Sequence, residues 1–216
     1  MGQIKGRSSM KLESIPDIVV GRLPRYLQTL HKMDAEGKKT TSSQELGAEL
    51  GISAAQIRKD LSFFGGFGKQ GTGYAIAYLV ERLQEILKVN QVWDIALVGA
   101  GNLGKAIAQY QGFANRGFRV VMIFDNDPAV IGTQVGKFMV QDSASMVQAI
   151  RQAGVKIAML TVPASAAQKV AEILINAGVQ AILNYSPVAL SLSDTIQVEY
   201  IDPILQLQHM TYYLKA

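Results

Sequence analysis

The chain contains no cysteine among its 216 residues, which excludes disulfides, thiolate metal sites and any thiol-based redox switch. A redox signal would have to enter through a bound ligand, and no metal is expected. No apolar run approaches the roughly 18 residues that a membrane-spanning helix needs, and the polar opening MGQIKGRSSM has no apolar core of a signal peptide. Residues 1–15 therefore read as a flexible arm or a leader, and the expected setting is the cytoplasm, with no membrane partner. Histidine is scarce too: only His31 and His209 occur, which leaves little for acid–base chemistry.

The charge that is present is unevenly placed. Residues 1–90 carry 13 Lys and Arg against 9 Asp and Glu, while residues 91–216 carry eight of each, so the whole net charge of +4 lies in the first segment. That asymmetry fits an anionic partner, or simply a solvated basic surface. From Pro16 to Met33 the apolar residues Ile18, Val19, Leu23, Leu27, Leu30 and Met33 recur at helical spacing, with Pro24 as a candidate kink. Two capping boxes follow, Ser42 with Glu45 and Ser53 with Gln56, each opening a short helix. Gly51 supplies a tight turn between them, and Gly47 sits where the two helices approach. The spacing predicts a helix-turn-helix. Its second helix presents Ser53, Gln56, Arg58 and Lys59, whose side chains suit base edges and phosphates, although a solvated cationic face reads the same way in isolation. The segment FGGFGKQGTGY has five glycines between residues 65 and 73, with Lys69 near its middle. It follows a helix rather than a strand, which favours a DNA-binding wing over a nucleotide loop. Residues 74–89 then predict an amphipathic helix.

A second pattern begins at WDIALVGAGNLGKAIAQYQG, where a buried-strand run passes through Gly99-x-Gly101-x-x-Gly104 into helical periodicity. In that context Gly99 makes the turn, Gly101 admits a pyrophosphate, Gly104 lets helix and strand pack, and Ala100, Asn102 and Leu103 complete the loop. A second strand ends at Asp125, 21 residues past Gly104, where a carboxylate accepts hydrogen bonds from a ribose. No basic residue follows it directly, which favours NAD(H) over NADP(H). Asp127 before Pro128 reads equally well as a turn residue. A helix at 142–153, strands at 156–162, 180–185 and 195–201, and a helix at 164–177 continue the alternation and predict a parallel, doubly wound sheet. Two strand exits, Thr161-Val162-Pro163 and Asn184-Tyr185 before Ser186, would line the nicotinamide half of a site. The organisation is thus α/β: a winged helix-turn-helix domain at 16–90, a Rossmann-type domain at 91–201, and a final helix at 202–216. That helix is apolar around more than one face and must be buried, in its own subunit or in a second one.

Taken together, QIRKDLSFFGGFGKQGTGY, VGAGNLGKAIAQYQGF, IFDNDP and LTVP in this order resemble the Rex family of redox-sensing transcriptional repressors, from about Pro16 to the C-terminus. The resemblance implies a homodimer with exchanged C-terminal helices on double-stranded operator DNA. NADH would release it, and NAD would compete without releasing it. It also implies that Arg58 and Lys59 are the DNA contacts, that the glycine loop and Asp125 hold the cofactor, and that Tyr110 changes hydrogen-bond partners between ligand states. Two positions depart from the family pattern: Asp202-Pro203 stands where an Asp-Phe pair precedes the final helix, and Gln28 where the first helix has an arginine. From its residues alone Asp202-Pro203 is an N-cap and first-turn pair. A dehydrogenase would need a positioned acid or base and a substrate domain. Lys105 is the one candidate acid near the loop, and only a short segment follows the Rossmann core. A winged-helix repressor sensing an acyl-CoA or another nucleotide is the remaining alternative.

Overall fold

A computed structural model describes residues 15–65 and 73–214; Lys69 and most of the arm expected at 1–15 lie outside the described residues. The chain divides into two compact units, Met1–Asn90 and Gln91–Ala216.

The first unit contains α1 (Asp17–Val20), α2 (Leu23–Ala35), β1 (Thr40–Thr41), α3 (Ser43–Leu50), α4 (Ala54–Ser62), β2 (Tyr74–Ala75) and α5 (Ile76–Leu87). The single helix expected over 16–33 is broken after Val20. Pro24 falls in the first turn of α2, where its missing N–H costs nothing, so it starts a helix instead of kinking one. Leu23, Tyr26, Leu30 and Met33 of α2 meet Leu46, Ile57, Leu61, Ile76, Leu79 and Leu83 in one buried cluster. Each such side chain contributes about 1.5–3 kcal/mol through removal from water. β1 and β2 pair antiparallel, Thr40 opposite Ala75 and Thr41 opposite Tyr74, tying the start of α3 to the start of α5. The helix predicted from residue 74 therefore begins two residues later.

The second unit contains β3 (Trp93–Val98), α6 (Asn102–Gln109), β4 (Phe118–Asp125), β5 (Gln134–Val135), β6 (Phe138–Asp142), α7 (Met146–Ala153), β7 (Ile157–Leu160), α8 (Ala164–Asn176), β8 (Ala181–Asn184), β9 (Gln197–Tyr200) and α9 (Pro203–Thr211). They form a seven-stranded sheet in the order β5-β6-β4-β3-β7-β8-β9. Every pairing is parallel except β5 with β6, so the wholly parallel expectation needs an antiparallel edge strand added. Along β3, Ala96 and Val98 face a cluster with Met146, Ile150, Ala167, Ala171 and Leu174 of α7 and α8. Ile95 and Leu97 face the other side, with Ile107 of α6. This alternation covers both faces of the sheet with helices. The chain adds strands on one side of β3 and then crosses to the other, leaving a crevice beyond the C-terminal end of β3, where such sheets bind ligands.

The final helix, Pro203–Thr211, is shorter than the predicted 202–216, and it buries nothing. Ile204, Leu205, Leu207, Met210, Tyr212, Tyr213 and Leu214 are all exposed, from 55% at Leu207 to 83% at Tyr212.

Candidate nucleic-acid and cofactor sites

The turn between α3 and α4 has the geometry its residues require. The Ser42 hydroxyl accepts from the Glu45 amide at 3.1 Å, and the Glu45 carboxylate accepts from the Ser42 amide at 2.9 Å, so this capping box closes on both sides. Gly51 takes φ 67°, the left-handed region. A Cβ on Gly47 would lie 2.4 Å from the Ile52 carbonyl oxygen, so only glycine lets the turn pack this closely. The second box forms only in half. The Ser53 hydroxyl accepts from the Gln56 amide at 3.2 Å, but the Gln56 side chain reaches away from Ser53 and donates to Asp60 Oδ1 at 2.7 Å. Arg58 and Lys59 are exposed on α4, and the Arg58 guanidinium donates to the Ser43 hydroxyl at 3.0 Å.

Asp60 is the residue that sequence reasoning missed here. Its side chain is fully buried, which a carboxylate tolerates only when its lone pairs are filled by donors. Arg22 donates from Nε at 2.6 Å and from Nη2 at 2.7 Å, and the Tyr26 hydroxyl donates at 2.5 Å. Burial pushes the Asp60 carboxyl up, but the hydrogen bonds from Arg22, Tyr26 and Gln56 outweigh it and hold the group below its ordinary value. Burial, with the Asp60 hydrogen bond second, pushes the Tyr26 phenol up to about 12. A phenol raised in the folded state contributes stability that is complete below its ordinary value of 10 and is lost as pH rises through about 12. Urea unfolding across that interval should show the unmodified protein losing on the order of 2 kcal/mol more than Tyr26→Phe. Equal losses in the two proteins would remove Tyr26 from the account of alkaline unfolding.

At the C-terminal end of β3 the glycine loop shows three different constraints. Gly99 has φ 100°, and a Cβ there would lie 2.7 Å from the Thr161 carbonyl oxygen. A Cβ on Gly104 would lie 1.9 Å from the Gly99 carbonyl oxygen, so the helix and strand touch at this point. Gly101 meets nothing within 4 Å, leaving room beside the backbone for a ligand. Gly101 is also the N-cap of α6 and Asn102 its first residue, and no side chain caps that helix start. Its start therefore has no side-chain cap to accept from its first amides. Asn102 and Leu103 are exposed, whereas Ala100 is buried.

The Asp125 carboxylate sits at the end of β4 and organises the loop from the side. Oδ2 accepts from the Ala100 amide at 2.6 Å, and Oδ1 accepts from the Asn126 and Asp127 amides at 2.7 and 2.9 Å. A carboxylate offers about four lone-pair sites, so acceptor capacity remains for a ribose hydroxyl. Asp127 turns its own chain, accepting from Ala129 at 2.9 Å.

On the other side of β3, the Thr161 hydroxyl donates toward the carbonyls of Val98 and Gly99 at 3.0 and 2.8 Å, pinning the β7 exit to the glycine loop. The Ser186 hydroxyl donates to the Val162 carbonyl at 2.6 Å, joining the two strand exits. Asn184 is buried with its amide spent on this turn: its oxygen accepts from the Ser186 amide at 2.9 Å and its nitrogen donates to the Val188 carbonyl at 3.0 Å. Tyr185 is half-buried against the cluster that holds Ala100 and Met159, and burial pushes its phenol up. Pro163 is exposed as the N-cap of α8. Gly99, Ala100, Gly101, Thr161, Val162 and Tyr185 thus share one edge of the sheet.

Tyr110 is not brought to that edge. It caps the far end of α6, about 13 Å along the helix from Gly101, with its ring edge-on to Phe113 at 5.2 Å. There it lines a groove of about 190 Å³ with Phe118, Lys137 and Phe138. Lys105 is exposed on α6, Asp202 caps α9 by accepting from the Ile204 amide at 2.9 Å, and His31 and His209 lie on α2 and α9.

Comparison with known proteins agrees with both halves. A family model for a CoA binding domain matches residues 90–188, and one described as "Putative DNA-binding protein N-terminus" matches residues 14–62. The redox-sensing transcriptional repressor Rex of Chloroflexus aggregans is 50% identical over 199 residues, covering 92% of this chain and 94% of its own. The crystal structure of RSP in complex with beta-NAD+ and operator DNA superposes with a TM-score of 0.87 at 36% identity, covering 92% of this chain and 91% of that one. RSP in complex with beta-NADH gives 0.84 at 34% identity, covering 92% and 93%. A helix-turn-helix and a glycine loop at the sheet's crevice, in one chain aligned almost end to end with these repressors, assign it: the chain belongs to the Rex family of redox-sensing transcriptional repressors.

Proposed function

We propose that this protein is a homodimeric, non-catalytic repressor that occupies a palindromic operator and leaves it when NADH binds, with NAD competing for the same site. The observation that carries this reading is the glycine loop, closed to side chains at Gly99 and Gly104 and open at Gly101. That is the shape a dinucleotide pyrophosphate requires. When bound, the cofactor supplies a signal whose value depends on its redox state. The chain's own part is to hold it: Gly101, Asn102 and Leu103 at the phosphates, Asp125 at the ribose, and Thr161, Val162, Pro163 and Tyr185 at the nicotinamide end. Tyr110, at the far end of α6, would respond to ligand state without touching the cofactor directly.

On the DNA side, Arg58 and Lys59 are the cations that α4 exposes, supported at its N-terminus by Ser53 and, from the wing, by Lys69. Gln56 contributes less as a base reader than its position suggests, because its amide is held by Asp60. The division into two compact units after Asn90 supports a DNA-binding domain at 16–90 and a cofactor domain beginning at 91, with limits at 91–201 and a separate helix at 202–216 as part of the proposal. The exposed apolar α9 supports a dimer in which residues 202–216 dock on a second copy. No helix among the described residues is long and apolar enough to cross a membrane.

The test is operator-sized DNA titrated with NADH, NAD, NADPH and CoA. NADH should weaken operator binding, NAD should compete with NADH without weakening it, and NADPH and CoA should do neither at the same concentrations. By linkage, operator DNA must weaken NADH binding by the same factor. NADH that binds and leaves operator affinity unchanged would overturn the reading.

A further inference from the structure

Among the described residues of the first unit, the Asp60 carboxylate is the one fully buried ionised group, and neither cofactor nor DNA binding accounts for it. It lies on α4, one residue after Lys59 and two after Arg58. Its donors come from other places in the sequence: Arg22 is the N-cap of α2, and Tyr26 lies one turn further along that helix. Gln56, one turn earlier on α4, fills the remaining position. Arg22 engages both carboxylate oxygens, so the contact is a planar fork that fixes direction as well as distance. Ile57 and Leu61, by contrast, present apolar surface that tolerates rotation and sliding with little directional penalty. An apolar contact alone would leave the roll of α4 loosely set.

We propose that Asp60 is a positioning residue for operator recognition, fixing the roll of α4 on α2 so that Arg58 and Lys59 meet base edges and phosphates in register. The same contact takes Gln56 out of base reading and makes it part of the mount. Sequence discrimination depends on this roll more than overall DNA affinity does. A phosphate contact from a flexible lysine survives a small rotation, while a bidentate base contact does not.

This inference rests on the reading of α4 as the operator-contacting helix, and the experiment separates the two. Operator and scrambled DNA of equal length are titrated against the full-length protein and against Asp60→Asn, Tyr26→Phe and Arg58→Ala, with thermal unfolding followed in parallel. Asp60→Asn keeps the shape and leaves Arg22, which is 21% exposed, able to reach water. It should lower the operator-to-scrambled affinity ratio about tenfold, the size of one lost base contact. Affinity for scrambled DNA and for NADH should stay within about twofold. Tyr26→Phe, which removes one donor and keeps the packing, should lower the ratio in the same direction by a smaller factor, and it decides the matter should Asp60→Asn not fold. An unchanged ratio in the folded variants, with only the unfolding temperature lowered, would reduce the cluster to ordinary core stability and overturn the proposal. Arg58→Ala with undiminished operator binding would instead overturn the reading of α4 itself.

Discussion

Ending the chain after Ile201 should convert a dimer into a monomer and weaken operator binding on the order of 10²–10⁴-fold, the advantage that a second linked half-site confers. Seven large apolar side chains of residues 204–214 are exposed in the single chain, and α9 has no buried residue. A helix with that surface is stable in water only if something covers it. A second copy is the natural cover, because a two-fold dimer also gives two copies of α4 related by the symmetry of a palindrome. Asp202 and Pro203 start the helix sharply, so it leaves β9 as a discrete arm. Mass in solution and half-site against full-site affinity are the measurements. A truncated protein that remains dimeric and binds palindromic DNA tightly would place the interface elsewhere.

Two alanines in the glycine loop should both lose NADH but differ in what they do to folding stability. Gly101→Ala adds a methyl group to open space at φ −69°, so folding stability should stay within about 0.5 kcal/mol of the unmodified protein. The same methyl group occupies the approach of the pyrophosphate, and NADH affinity should fall on the order of a hundredfold. Gly104→Ala puts its Cβ 1.9 Å from the Gly99 carbonyl oxygen, which forces the backbone apart. That variant should lose on the order of 3 kcal/mol of stability along with cofactor binding. Calorimetric titration with NADH beside denaturant unfolding reads both quantities. If Gly101→Ala bound NADH normally, the pyrophosphate would have to lie elsewhere.

The glycine loop was legible because its spacing encodes separate steric needs: the structure has the tight turn at Gly99 and the close helix–strand approach at Gly104, with open space beside Gly101. The caps at Ser42 and Ser53, the turn at Gly51 and the close approach at Gly47 were legible for the same reason: their causes are local. The features that escaped have non-local causes. Asp60 reads as an ordinary exposed charge on a helix until Arg22 and Tyr26 arrive from 38 and 34 residues away. The same contact diverts Gln56 from the capping box that its spacing suggests. The break after Val20 depends on how α1 and α2 pack, and Pro24 alone is equally consistent with a kink or a start. The hairpin of β5 and β6 has strands of two and five residues, too short for alternation to register. The role that the resemblance implies for Tyr110 has no local signature either: in the single chain it caps the far end of α6 beside Phe113.

The order of the strands bears on how the second unit can be made. β3 emerges first and ends at the centre of the sheet. β4 and then the β5–β6 hairpin add on one side, and β7, β8 and β9 add in turn on the other. No strand has to be inserted between two that are already paired. Each newly synthesised segment meets an open edge left by its predecessors, so the sheet can grow outward as the chain leaves the ribosome. The first unit, with its own closed core, can finish folding before β3 appears. A chain ending at Asp142 would carry the first unit together with β3, β4, β5 and β6, leaving the other edge of β3 open to receive β7.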